Sequence, residues 1–257
     1  MHLAVSYRYQ MNDHKKDLLV FYIAIVCLYL LMLVTTAIST AANDREIVYQ
    51  AQSNGINVAT MVFLFIAGLN SFKENFGMLL QNGVSRRTMF TGRLLTMVSL
   101  CVGMTLMDRA LLLLFRGVSA LTDNSVAFGM IFDSIYPDKA ALMSPLGMHA
   151  YSLALDFAAY LGFAAAGYLL TLLFYRLGKT GKVAVGAGVP VLLCVVLPAL
   201  DGVLTGGRTF LTVAEALGEA FLFSPNAPLH MLLLGLGSCV VCSGLSWLLM
   251  RRAVVKA

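Results

Sequence analysis

The sequence predicts an all-α polytopic membrane protein of six transmembrane helices with both termini cytoplasmic, and three observations predict it. Of the 257 residues, 59% are AVILMFWYC and only 12% are charged, with a mean hydropathy of +0.82. Soluble domains carry about 25% charged residues and reach about 45–50% apolar only with glycine counted, whereas glycine here adds 22 residues more. No soluble core hides this much apolar surface. The apolar residues also gather into windows, each near the ~20 residues that cross a ~30 Å hydrocarbon slab. Finally, the basic residues sort onto alternate connections between those windows, as the positive-inside rule requires. High hydrophobicity excludes disorder, and 6 Pro and 5 Cys exclude collagen and disulfide scaffolds.

In chain order, residues 1–17 carry Leu3, Ala4, Tyr7 and Met11 at helical spacing, with Arg8, Asn12, Lys15 and Lys16 opposite. This predicts an interfacial helix on the inner leaflet, ahead of a single transmembrane domain over 18–257. The spans are expected at Leu18–Ile38, Ile56–Phe72, Leu94–Phe115, Tyr151–Tyr175, Val183–Leu204 and Leu229–Met250. The first exceeds the ~7–15 residues of a cleaved signal core, so it is expected to stay as an anchor. Tyr22, Tyr151, Tyr175 and Trp247 stand near span ends as expected interfacial anchors.

The outer loops are then 39–55, 116–150 and 205–228. In the second, the run Ala127–Ile135 predicts a partly inserted helix. In the third, Phe210, Val213, Ala214, Leu217 and Phe221 oppose Thr212, Glu215 and Glu219, which predicts a short amphipathic or re-entrant helix before the last span. Span four carries Ala154, Ala158, Gly162 and Ala166 at four-residue spacing, a small-residue stripe that lets helix backbones approach closely in lipid. It is expected to be an internal packing face. Span five contains Gly186, Gly188, Pro190 and Pro198, so a kink or local unwinding is expected there.

Thirteen of the 18 Lys and Arg residues fall on 1–17, 73–93, 176–182 and 251–257, four fall on the outer loops, and Arg109 lies in span three. The first group is therefore placed in the cytoplasm, and the chain in the cell membrane as a multi-pass protein. The net charge of +5 and pI near 9.0 follow from this topology beside anionic lipid, so no nucleic acid partner is expected. All five cysteines fall inside spans, and Cys239–Cys242, although CxxC by pattern, reads as small-residue packing rather than a redox pair.

The most organised connection is Lys73–Arg93. Phe76, Met78, Leu79 and Leu80 form a helical run, Gly83 breaks it, and Ser85 stands as the N-cap of a second helix carrying Arg86 and Arg87 into span three. An acid, a glycine, an apolar run, a glycine and Ser-Arg-Arg follow one another. At Glu74, Gly77, Met78–Leu80, Gly83 and Ser85–Arg86 the chain resembles the permease subunits of type-2 ATP-binding-cassette exporters. The six spans, the inner termini, the interfacial first helix and the short outer helix before span six resemble that family too.

The resemblance implies that Glu74, Gly77, Leu79, Leu80, Gly83, Ser85, Arg86 and Arg87 belong to a coupling helix that docks on a separate cytoplasmic ATPase. It further implies two ATPase copies holding ATP and magnesium, no cofactor on this chain, and a second permease, identical or homologous. Export of a hydrophobic or amphipathic peptide, lipid or drug is the function so implied. The outer loop 116–150 is longer than that family's connection between spans three and four.

Inside the spans, Asp108, Arg109 and Asp156 stand out, since each costs about 2.5–3.5 kcal/mol at a span centre. Asp108 lies about 22 Å along its helix from Arg93 at 1.5 Å per residue, and Asp156 is five residues into span four from the outer side. The three are expected at similar depth, and an Arg109–Asp156 pair is geometrically possible. Structural pairing with snorkelling to the outer interface is the first reading of this set and a substrate-pathway role the second. An ion- or proton-coupled secondary transporter, for which only this set offers a site, is the alternative function. An intramembrane enzyme would need facing nucleophile, base or metal ligands. His2, His14, His149 and His230 are scattered without HExxH spacing, and Gly178–Lys182 departs from a P-loop because Leu173 stands where the first glycine is needed. No enzymatic activity is expected of this chain.

Overall fold

A computed structural model of the chain describes residues 2–42, 55–121, 129, 131–188, 191–204, 206, 208–218 and 227–251. Among these the fold is helical throughout, without a strand. The main helices are α1 (His2–Ala42), α2 (Gly55–Asn70), α3 (Lys73–Gln81), α4 (Arg86–Leu121) and α7 (Pro145–Arg176), with α11 (Ala227–Arg251) last. Short helices α5 (Ile131–Ile135) and α6 (Pro137–Leu142) precede α7. After it come α8 (Lys179–Val183), π-helical segments Ala184–Gly188 and Leu192–Val196, α9 (Leu197–Leu204) and α10 (Arg208–Gly218).

Among the described residues, four helices are long and apolar enough to cross a membrane: those over Leu3–Ile38, Arg86–Leu121, Pro145–Arg176 and Pro228–Arg251. The span expected at Ile56–Phe72 is the 16-residue α2, about 24 Å long at 1.5 Å per residue. The span expected at Val183–Leu204 is not one α-helix. Wide π turns interrupt it at Ala184–Gly188 and Leu192–Val196, Val183 and Val203 near its ends are 68% and 84% exposed, and it packs chiefly on itself and α10. Pro190 and Cys194 fall among the residues or side chains left undescribed, as do most of loop 39–55, Ala127–Phe128 and the end of loop 205–228. The expected outer helix is present as α10 over Arg208–Gly218.

Residues 1–17 differ from their expected form. No Gly or Pro occurs between His2 and Ala42, so nothing breaks the helix, and α1 runs 41 residues without interruption. It lies parallel to α4 at a shared offset, with Ser6 beside Gly92, Tyr22 beside Asp108 and Tyr29 beside Phe115. The face that α1 turns to the protein begins with Ser6, Gln10 and His14, all 4% exposed or less, and continues through Ile25, Tyr29 and Leu33. Leu3 and Ala4 face outward instead, while Tyr7 and Met11 are half-buried. A polar stripe thus replaces the apolar one as the packing face, because α4 opposite offers Gly92, a carbonyl and Arg93 as partners.

Helix α7 is the hub, with α2, α4 and α11 packed around it and α1 laid against α4. The core holds Leu64, Met97, Leu100, Met104, Tyr160 and Leu161. Two seams set the helix spacing. A Cβ on Gly162 would lie 2.6 Å from Ser238 Oγ and one on Gly235 2.7 Å from the Ala158 carbonyl, so α7 and α11 touch backbone to backbone. Ala158 and Gly162 of the small-residue stripe sit on this seam; Ala154 is exposed and Ala166 half-buried. The second seam joins α2 to α7, where a Cβ on Gly68 would lie 2.6 Å from the Ala164 oxygen, and one on Gly167 would strike Phe65 O. In lipid such close approach is the main source of helix association.

Candidate functional site

The connection between α2 and α4 folds as a rigid wedge. Helix α3 ends in two crossed bonds, Val84 N–H to Leu79 O and Gly83 N–H to Leu80 O, both 3.0 Å, with Gly83 at φ +71°. This is a Schellman end, in which the residue after the left-handed glycine packs back on the last turn. Val84 and Leu79 are buried together accordingly. Nothing lies within 4 Å of a Cβ built on Gly83, so glycine is required by its backbone angle and not by space. Ser85 then caps α4: its Oγ accepts from Thr88 N–H at 3.2 Å, and its carbonyl accepts from Met89 N–H at 3.0 Å. Ser85→Ala is expected to cost about 1 kcal/mol, read as a lowered thermal midpoint of the purified chain.

The back of the wedge is core. Phe72, Phe76, Leu79, Val84 and Met89 pack with Tyr168 and Leu172 of α7 and Met250 of α11. Phe72 and Phe76 stack at 4.7 Å, and both meet Tyr175 edge-on. Leu79 and the half-buried Leu80 therefore hold the wedge to the bundle and do not offer themselves to a partner. The exposed tip comprises Met78, Gln81, Asn82, Gly83, Ser85 and Arg87, with Gly77 half-buried inside α3. Glu74 lies in the first turn of α3, and its side chain is among those not described.

Arg86 has an assignment that its sequence context did not reveal. Its Nη1 donates to Arg251 O at 2.7 Å and Met250 O at 3.4 Å, the terminal carbonyls of α11. The last carbonyls of a helix lack partners within it and carry the negative end of its dipole. Arg86 thus ties the wedge to the end of the last helix.

The charge set forms a second site among α1, α4 and α7. Asp108 Oδ1 accepts from Tyr22 Oη at 2.9 Å and Oδ2 from Tyr160 Oη at 2.6 Å. Arg109 Nη2 lies 3.3 Å from Asp156 Oδ2 and donates to Ser152 Oγ at 2.8 Å. The structure thus brings all three charges together, with Asp108 and Asp156 buried and Arg109 nearly so. Tyr22 and Tyr160 were not legible as ligands. Tyr22 reads from sequence as an interfacial anchor, whereas it reaches inward to Asp108. Tyr160 stood four residues beyond Asp156, on the same face, which is the signal that could have found it.

Among the described residues no group of three or more His, Cys, Asp or Glu side chains converges as a metal site. Comparison with known proteins returns no matching family model, no matching curated protein and no matching solved structure.

Proposed function

We propose that the chain is the membrane-spanning permease subunit of an ATP-binding-cassette exporter. In this reading it crosses the plasma membrane six times with both termini in the cytoplasm, the interrupted segment 183–204 serving as the fifth span and α2 as the second. It pairs with a second permease, identical or homologous, and with two ATPase subunits that hold ATP and magnesium. The cargo class is a hydrophobic or amphipathic peptide, lipid or drug. The observation that supports the reading is the wedge: its back is rooted in the core, its turn is locked, and its tip is open. A partner pushing on such a tip moves α4, α7 and α11 together rather than bending a loop.

The exposed residues are the informative probes. Arg86→Glu would place an acid against the α11 carbonyls and confuse docking with folding, so Arg87→Glu tests the tip instead. Gly83→Val forces a β-branched residue into the left-handed region at about 1–2 kcal/mol, which is about a 5- to 30-fold shift in the population of the aligned wedge. In vesicles holding the chain and its copurifying ATPase, both variants are expected to insert at wild-type abundance and lose most ATP-driven export. Full export by the Gly83→Val, Arg87→Glu double variant at normal abundance sinks the coupling role. The buried Asp108 network favours one rival, a proton-coupled transporter, which requires export driven by a proton gradient without ATP.

A further inference from the structure

Behind the wedge, Arg93 is 3% exposed. Its guanidinium has no carboxylate within 4 Å among the described residues; the ion pair found there is Arg109–Asp156. Its partners are neutral: His14 Nε2 at 3.0 Å from Nη1, the Ala67 carbonyl at 3.5 Å from Nη2, and the face of the Tyr168 ring at 5.5 Å. Since a guanidinium only donates, His14 accepts through Nε2, carries its proton on Nδ1 and is uncharged. The Nε–H of Arg93 has no protein partner. A buried cation whose direct contacts are all neutral is costly, Asp13 acting on it only from beyond contact distance, and buried charges are normally paired.

Arg93 lines a small cavity together with Gln10, Ser71, Phe76, Tyr168 and Met250. Every packed element near the wedge contributes to its wall. About 20 Å³ of it is open to the centre of a water-sized sphere, room for one particle of water size, for which about 10–15 Å³ suffices. Two polar hydrogens of its lining residues are uncommitted, beside acceptor lone pairs on Gln10 and Ser71. Besides Arg93 Nε–H, the Tyr168 hydroxyl is directed only at the Met250 thioether, 3.8 Å away. Gln10 and Ser71 have their hydrogens engaged by Ser6 and Gly68.

We propose that this cavity is a binding site for one monatomic anion of chloride size, which places a negative charge in direct contact with Arg93 and fastens the wedge to the bundle. Two free hydrogens are too few for a phosphate, whose several oxygens each need a partner, and the charge of Arg93 repels a cation. The inference goes beyond the transport reading and stands whether or not that reading does, because it concerns the purified chain alone.

The test uses the full-length chain in zwitterionic nanodiscs, its thermal midpoint followed by Trp247 fluorescence. Sodium chloride replaces sodium gluconate at constant ionic strength. The wild type is expected to gain about 2–4 °C, saturating with chloride, as a ligand bound only to the folded state does. Equilibrium dialysis with radioactive chloride is expected to give one bound ion per chain, a reading that needs no variant. Arg93→Met is expected to abolish the gain, and should it fail to fold, Tyr168→Phe is expected to weaken it. Equal midpoints in both salts overturn the proposal and leave a single buried water. A chloride gain that survives in Arg93→Met overturns it too, as does an equal gain from phosphate, which would point to a larger headgroup site.

Discussion

Asp156→Asn is expected to destabilise the chain by about 3–5 kcal/mol, the range for removing one partner of a buried ion pair. The Arg109 side chain is 10% exposed and that of Asp156 7%, so neither charge can turn to water when the other is lost. Arg109→Met should cost a similar amount by stranding the Asp156 carboxylate. The Arg109→Met, Asp156→Asn double variant should cost clearly less than the two single losses combined, because neither member of the pair is left charged beside a neutral partner. Unfolding of the four proteins in detergent measures the coupling, and strict additivity would remove the pair as an energetic unit. Tyr160→Phe, which takes one donor from Asp108, is expected to fall below both at about 1–3 kcal/mol.

Gly167→Leu should separate α2 from α7 and is expected to be the most disruptive single apolar change. The obstacle to a side chain at Gly167 is the backbone of Phe65, and the neighbouring Gly68 meets the backbone of Ala164 and Tyr168. Backbone cannot repack as a rotamer does, so the cost lies at or above the ~1–3 kcal/mol typical of overpacking. Gly103→Ala is the control. It lies in α4 with nothing within 4 Å of an added Cβ, and alanine is favoured over glycine in a helix by about 1 kcal/mol. Thermal midpoints in one detergent should fall for Gly167→Leu and hold or rise for Gly103→Ala. A Gly167→Leu protein as stable as the wild type would mean that α2 and α7 do not meet backbone to backbone at this seam.

The features that local chemistry controls were readable from the residues alone. Long apolar runs placed α1, α4, α7 and α11, because a bilayer demands a minimum helix length whatever the neighbours are. Gly83 and Ser85 marked the end of α3 and the start of α4, since a left-handed C′ residue and an N-cap hydroxyl satisfy only their own helix. Arg109 and Asp156 were assignable to one depth because helical rise converts residue number to distance. The stripe around Ala158 and Gly162 was recognisable as a seam, although its partner α11 was not.

Tertiary structure alone decided who faces whom. A helix in lipid is apolar both where it meets lipid and where it meets protein, so hydrophobic periodicity does not reveal the buried side. That is why the packing face of residues 1–17 is Ser6, Gln10 and His14 and not the apolar stripe beside them. For the same reason Tyr22 reads as an anchor until α1 is set parallel to α4, where it meets Asp108. Arg86 reads as a surface charge until the end of α11 arrives beside it. Each of these contacts joins residues at least 79 positions apart in the chain, and their relative placement is set by backbone approach at Gly68, Gly167 and Gly235 and by the Ser6 side chain seated on Gly92. Composition determines that this chain belongs in a membrane; the meeting of helices at those glycines determines which of its few polar groups find partners there.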